Sequence, residues 1–172
     1  PLIGVVYDPA SGTLLQAIIG QGAYKNRAAL CPMNALSGTL KVFADASLQA
    51  QGSYENTVRA LNACATDSGL GGIEISYGNG AVKNACQVLE HAAACYVKLP
   101  KSEEGGGSIW DFAATACIIR EAGAWASNIH GEVLDLNRRD STFMNHQGVI
   151  FASSEQIARF LIEALSSQGP SL

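Results

Sequence analysis

The sequence predicts a layered α/β fold of the α+β kind, with mixed or antiparallel sheets, and three observations predict it. The first 25 residues read as three short strands joined by tight turns, a pattern that favours an antiparallel meander. After residue 70, short apolar runs alternate with helical patterns. Between them and the end of the chain, a glycine-rich loop feeds an apolar helix that starts near Asp111 and stops at Gly123.

The elements follow in order. Leu2 to Tyr7 is a β-branched apolar run, closed by the turn cluster Asp8-Pro-Ala-Ser-Gly12. Thr13 to Ile19 forms the second strand, and Ala23-Tyr24-Lys25 a short third. Residues 28–38 hold few periodic signals and read as a loop, followed by a strand at Leu40 to Ala44. Ser53 is placed to cap a helix through about Ala65, with Val58, Leu61 and Ala65 on one side. Gly69-Leu-Gly-Gly72 breaks it, and Ile73 to Tyr77 is a strand. A helix is expected from Ala81 to Ala93, then strands at Cys95 to Leu99, Ala124 to Ile129 and Val149 to Ala152. Ser153 or Ser154 caps a closing helix through Leu165, and the tail Ser166 to Leu172 is expected to fray.

A chain of 172 residues fits one domain or one lobe of a larger one. Its net charge of −4, with 11 scattered basic residues, argues against nucleic-acid or membrane-surface binding. Five cysteines with no Cys-x-x-Cys pair argue against a disulfide framework or a zinc site and point to a reducing cytoplasm. No apolar run approaches the length of a membrane span, and no basic-then-apolar leader opens the chain. The chain enters directly as a strand at Pro1 without an initiator methionine, as the middle of a protein would.

The chemistry concentrates at a few positions. Asp111 stands in the first turn of the apolar helix, where an acid favours the helix terminus and where a carboxylate can also reach a hard cation. The Gly78-Asn79-Gly80-Ala81 turn either presents backbone N–H groups to an anion or sugar hydroxyl, or is simply a tight turn needing positive φ. Lys98 and Lys101 flank Pro100 near the glycine loop and could meet a phosphate as point charges. Arg138 and Arg139 beside Asp140 read, from the residues alone, as a surface ion pair. Trp110 reads as a core anchor, with a binding wall as the other reading. His91, His130 and His146 share no metal-ligand spacing, and Glu121 reads as structural.

Taken together, Trp110-Asp-Phe-Ala-Ala114 with Glu121-Ala-Gly123 resembles the signature of the inositol monophosphatase-like superfamily of metal-dependent phosphatases. Gly4-Val-Val-Tyr-Asp-Pro9 with Gly20-Gln-Gly-Ala-Tyr24 resembles the strand and hairpin that follow the family's main metal motif. Gly80-Ala81 with Gln87-Val-Leu-Glu90, and Gly131-Glu-Val-Leu-Asp-Leu136 with Asp140-Ser-Thr-Phe-Met-Asn145, resemble the 3′(2′),5′-bisphosphate nucleotidase branch.

The resemblance implies the C-terminal lobe, over residues 1–172, of a layered αβαβα sandwich. It implies Asp111 as a magnesium ligand and tips the Gly80-Ala81 turn, with Asn79 in it, towards substrate contact. It also sets Arg139 in a late loop near the substrate, with a surface ion pair as the equal reading. Lys98 and Lys101 are candidates on charge alone, with ordinary surface lysines as the other reading. Glu104, seven residues before Asp111, stands where inositol monophosphatases carry a substrate-binding acid; a solvated loop charge is the alternative. The family's Asp-Pro-x-Asp-Gly-Thr motif is absent, so most ligands of the Mg2+ cluster are expected from an N-terminal half of the same protein. The implied reaction is hydrolysis of a small phosphate ester, 3′-phosphoadenosine 5′-phosphate in first place and an inositol monophosphate in second, with lithium inhibition and a homodimer. The lobe alone is expected to turn over little. A non-catalytic module of the same fold and an amino-acid- or small-anion-binding lobe are the rival readings.

Overall fold

The computed structural model describes residues 1–31 and 37–167, arranged in four layers. The first is an antiparallel sheet of β1 (Ile3–Asp8), β2 (Thr13–Ile18), β3 (Ala23–Lys25) and β4 (Ala28–Ala29), in that order. The expected meander is present, and the loop predicted over 28–38 opens with the two-residue β4; residues 32–36 lie outside the described residues.

The third layer is a mixed five-stranded sheet in the order β6-β5-β7-β9-β8. Its strands are β5 (Leu40–Ala44), β6 (Ile73–Tyr77), β7 (Ala94–Lys98), β8 (Trp125–Ser127) and β9 (Val149–Ala152). β5 pairs in parallel with β6 and β7, whereas β9 runs antiparallel to both β7 and β8. Parallel neighbours need crossover helices, and the chain supplies them. α1 (Tyr54–Asp67) links β5 to β6 on one face, and α2 (Ala81–Gln87) links β6 to β7 on the other.

The core alternates with the strand pleat. Val42, Cys95 and Ile150 face α1 and the closing helix α4 (Glu155–Ser166), while Phe43, Tyr96 and Phe151 face α2 and α3 (Ile109–Glu121). Helix α3 is the second layer's centrepiece. Its Phe112, Ala116 and Ile119 pack on the five-stranded sheet, and its Cys117, Ile118 and the following Ala122 pack under Leu15, Ala17 and Ala23 of the first. Burial on two sides explains why this helix is apolar nearly all round. It ends in a Schellman motif: Gly123 is left-handed at φ 78°, its N–H reaches the Arg120 carbonyl at 2.9 Å, and the Ala124 N–H reaches Ile119 at 3.0 Å.

Several expectations are corrected. The helix predicted through Ala93 stops at Gln87, runs on as a 3-10 turn at Val88–Glu90, and yields Ala94 to β7. Ser53 precedes α1 without a side-chain cap, whereas the Ser154 hydroxyl caps α4 by accepting the Ile157 N–H at 3.3 Å. Trp110 is 67% exposed rather than a core anchor, because the second helical position of α3 points away from both sheets. Ser166 closes α4, and the rest of the tail expected to fray, from residue 168, lies outside the described residues.

Candidate functional site

A groove of about 580 Å³ opens between the β1–β2 turn and the start of α2, and Asp111 is among the residues that line it. Three segments build it. The Asp8-Pro-Ala-Ser-Gly12 turn contributes Asp8, whose carboxylate accepts the Ala10 N–H at 3.0 Å. Hydrogen bonds from Ser11 and Ala10 hold that carboxyl below its ordinary range, so Asp8 stays anionic. The Gly80–Ala81 entry to α2 forms the opposite wall, with Lys83, Cys86, Gln87 and Glu90 on it. Lys83 reaches Asp8 at 3.9 Å across the groove, an exposed pair of little energetic weight.

Asp111 is placed by the turn before it. Its Oδ2 accepts the Ser108 N–H at 2.8 Å while its own N–H reaches the Ser108 carbonyl at 2.9 Å. The loop ahead of Ser108 uses three left-handed glycines, Gly105, Gly106 and Gly107, with φ of 119°, 73° and 91°. A β-carbon on Gly107 would stand 2.7 Å from the Phe112 ring and 3.5 Å from Asp111 Oδ2, so the run of glycine lets the backbone pass close over the helix start.

Of the residues singled out from sequence, Gly80, Ala81 and Asp111 share this groove. Asn79 sits just behind it, donating from Nδ2 to Gln87 Oε1 at 2.9 Å. Lys98 and Lys101 form a second group under the glycine loop, where a β-carbon on Gly106 would lie 3.5 Å from the Cε of each. Lys98 is ion-paired with Asp45. Lys101 is tied through its backbone to Asn145, at 2.9 and 3.1 Å. Glu104 is exposed on the loop, and Arg139 is exposed beside Arg138, which pairs with Asp140 at 2.5 Å. Neither Glu104 nor Arg139 lines the groove.

Sequence reasoning passed over Lys83, Asp8 and Asp45. An exposed lysine has no distinguishing signal, and the spatial partners of Asp45 lie 39 to 53 residues away. Cys86 lines the groove, but burial, followed by the Glu90 charge, pushes its thiol up to about 12, which removes it as a nucleophile near neutral pH.

A hard divalent cation would find Asp111 here, whose Oδ2 accepts the Ser108 N–H and whose other oxygen takes no hydrogen bond among the described residues. Among the described residues no three His, Cys, Asp or Glu side chains converge on one point. These residues therefore supply fewer than three such ligands at any one point, Asp111 among them, and magnesium held in a catalytic cluster needs several.

Comparison with known proteins gives a consistent result. The model of the inositol monophosphatase family matches residues 1–169. A 3′(2′),5′-bisphosphate nucleotidase of Emericella nidulans is 34% identical over 67 residues, which make up 39% of this chain and 19% of that protein. The fold is similar to that of inositol monophosphatase-II from Staphylococcus aureus MSSA476. There the TM-score is 0.70 and the identity 20%, over 97% of this chain and 56% of that one. It is also similar to an inositol monophosphatase from Anabaena (Nostoc) sp. PCC 7120, at TM-score 0.68 and 21% identity, over 99% of this chain and 61% of that one. The chain thus spans little more than half the length of these solved relatives.

Proposed function

The chain belongs to the inositol monophosphatase family, and on that premise we propose that it is the C-terminal lobe of a magnesium-dependent phosphomonoesterase. The observation that supports this most directly is Asp111, fixed by Ser108 in the lining of a groove between two layers. Bound magnesium would neutralise phosphoryl oxygens and acidify a water. The chain's own contribution is to hold Asp111 as one metal ligand, to place Lys83 on the facing wall as a positive charge for the ester, and to orient the substrate against Gly80 and Ala81.

The favoured substrate is 3′-phosphoadenosine 5′-phosphate, supported by the similarity to a bisphosphate nucleotidase. An inositol monophosphate is the second reading, since one similar structure is a dual-specific inositol monophosphatase/NADP phosphatase bound with D-inositol-1-phosphate. The remaining ligands come from an N-terminal half of the same protein. The outward face of the first sheet suits that partner: Ile3, Val5 and Tyr7 are 61%, 55% and 60% exposed there. No helix among the described residues is long and apolar enough to cross a membrane, and the cytoplasm, a homodimer and lithium sensitivity complete the proposal.

The test is phosphate release from both substrates with and without magnesium, using this chain alone and co-expressed with its upstream coding segment. The proposal expects turnover only in the complemented protein and its loss in Asp111→Asn. Unchanged turnover in that variant would remove Asp111 from the metal site and overturn the proposal.

A further inference from the structure

We infer that Asp45 is a positioning residue for this groove, fixing the α2 wall relative to the loop that presents Asp111; the inference rests on the proposed role of the groove. Asp45 follows β5 directly, and Lys98 is the last residue of β7. β5 leads into α1 on one face of the sheet and β7 into α3 on the other, so the two chains diverge at neighbouring carboxyl ends. Open α/β sheets take ligands at such a divergence.

Asp45 meets three donors there. Its Oδ1 accepts the Tyr96 hydroxyl at 3.1 Å and Asn84 Nδ2 at 3.3 Å, and its Oδ2 takes the Lys98 ammonium. Tyr96 and Asn84 are fully buried, and the Lys98 and Asp45 side chains are only 16% and 22% exposed. From this hub one arm runs to the α2 wall. Asn84 Nδ2 also donates to the Asn79 carbonyl at 3.3 Å, and Asn79 holds Gln87, a groove residue. On the other side Lys98 packs beneath the glycine loop: a β-carbon on Gly106 would lie 3.5 Å from its Cε, and one on the adjacent Gly107 would lie 3.5 Å from Asp111 Oδ2.

Asn84 shows that the arrangement is imposed. Among the described residues its buried Oδ1 has no partner, while its Nδ2 is committed to the Asp45 carboxylate and the Asn79 carbonyl, and flipping the amide would aim the oxygen at those two acceptors instead. The amide forgoes its own acceptor bond to keep both donors on the network.

The test compares backbone amide NMR spectra of this chain with those of Asp45→Asn, which keeps the size and one acceptor but drops the charge, and of Asn84→Ala. Asp45→Asn is expected to move the Asn79 to Ala81 and the Gly105 to Ser108 resonances together, leaving Gly4, Ala17 and Ala114 in place. Asn84→Ala is expected to move the first group alone. In the Asn84→Ala background, Asp45→Asn should then move only the second group. General loosening of the core cannot give that selectivity. Shifts confined to the neighbours of residue 45, or spread evenly through both sheets, overturn the inference.

A Mn2+ titration separates it from the functional reading. Broadening near Asp111 in the native chain, weakened several-fold by Asp45→Asn, supports both. Broadening that Asp45→Asn leaves unchanged overturns the positioning role while sparing the metal site. With no broadening in the native chain even when it is complemented by its upstream segment, the metal role of Asp111 falls and the amide shifts alone decide on Asp45.

Discussion

Gly4 of β1 lies so close to Ala114 of α3 that a β-carbon on Gly4 would stand 2.4 Å from the Ala114 carbonyl oxygen. The same carbon would meet Cys117 Cβ at 3.0 Å. The backbone of the first sheet rests directly on the helix that begins beside Asp111. Gly4→Ala is therefore expected to destabilise the chain by about 1–3 kcal/mol, the usual cost of overpacking. Gly52→Ala, where no heavy atom lies within 4 Å of the added carbon, is the control and should be near neutral. Denaturant unfolding of both variants measures the difference.

Asp111→Asn should separate stability from function. The variant keeps an oxygen for the Ser108 N–H but loses the charge at the start of α3. Its stability is expected to fall by only about 0.3–1 kcal/mol, as for a charge at a helix terminus. A thermal melt checks this, beside the loss of turnover expected in the complemented protein. A collapse of the fold would mean that Asp111 serves the helix before it serves any ligand.

The thiols predict a loss of stability in alkali. Burial pushes Cys64 up to about 11 and Cys86 up to about 12, and it also raises Cys95 and Cys117, from an ordinary value of 9.0. Above pH 9 the unfolded chain gives up thiol protons that the folded chain keeps, so the unfolded state binds fewer protons and stability falls with rising pH. Full stability from these groups is present below pH 9 and is lost progressively towards pH 11–12. Urea midpoints between pH 7 and 11 test the sign. Under native conditions a thiol reagent should label exposed Cys31 quickly and buried Cys64 and Cys95 slowly.

The outer face of the first sheet predicts association. Ile3 stands opposite Ile18, and Val5 opposite Gln16, which pairs on its other side with Tyr24, so their side chains share one face. An apolar surface of this kind binds hydrophobic dyes and other chains. Val5→Lys with Ile18→Lys should reduce dye fluorescence and light scattering while changing stability by less than about 0.5 kcal/mol per site, as exposed positions do.

The strands were legible where local pattern and tertiary role agree. Thr13–Ile18 and Ile73–Tyr77 carry β-branched residues between glycine turns, and Ser154 carries a cap that needs only its own helix. Legibility failed at His91 to Ala94, where a run of alanine, the strongest helix former and a poor strand residue, pointed locally to helix. Pairing of β7 with β5 and β9 decided it, a long-range term that no local window contains. The groove divides the same way. Asp111 and Gly80–Ala81 sit in motifs, whereas the partners of Asp45 come from β7 and α2 and meet only once the five-stranded sheet has formed. Trp110 misled because a large aromatic side chain is read as core by default; its neighbours Ile109 and Phe112 took the inward positions.

The insertion of β9 between β7 and β8 has a consequence for synthesis on the ribosome. Residues 149–152 fill a slot whose walls, residues 94–98 and 125–127, are made earlier. Until Ala152 has emerged, β7 keeps one edge unpaired and β8 has no partner strand among the described residues. The nascent chain must wait with its central sheet ajar, and any pause in translation between residues 127 and 149 prolongs the interval in which another strand can take the vacant place.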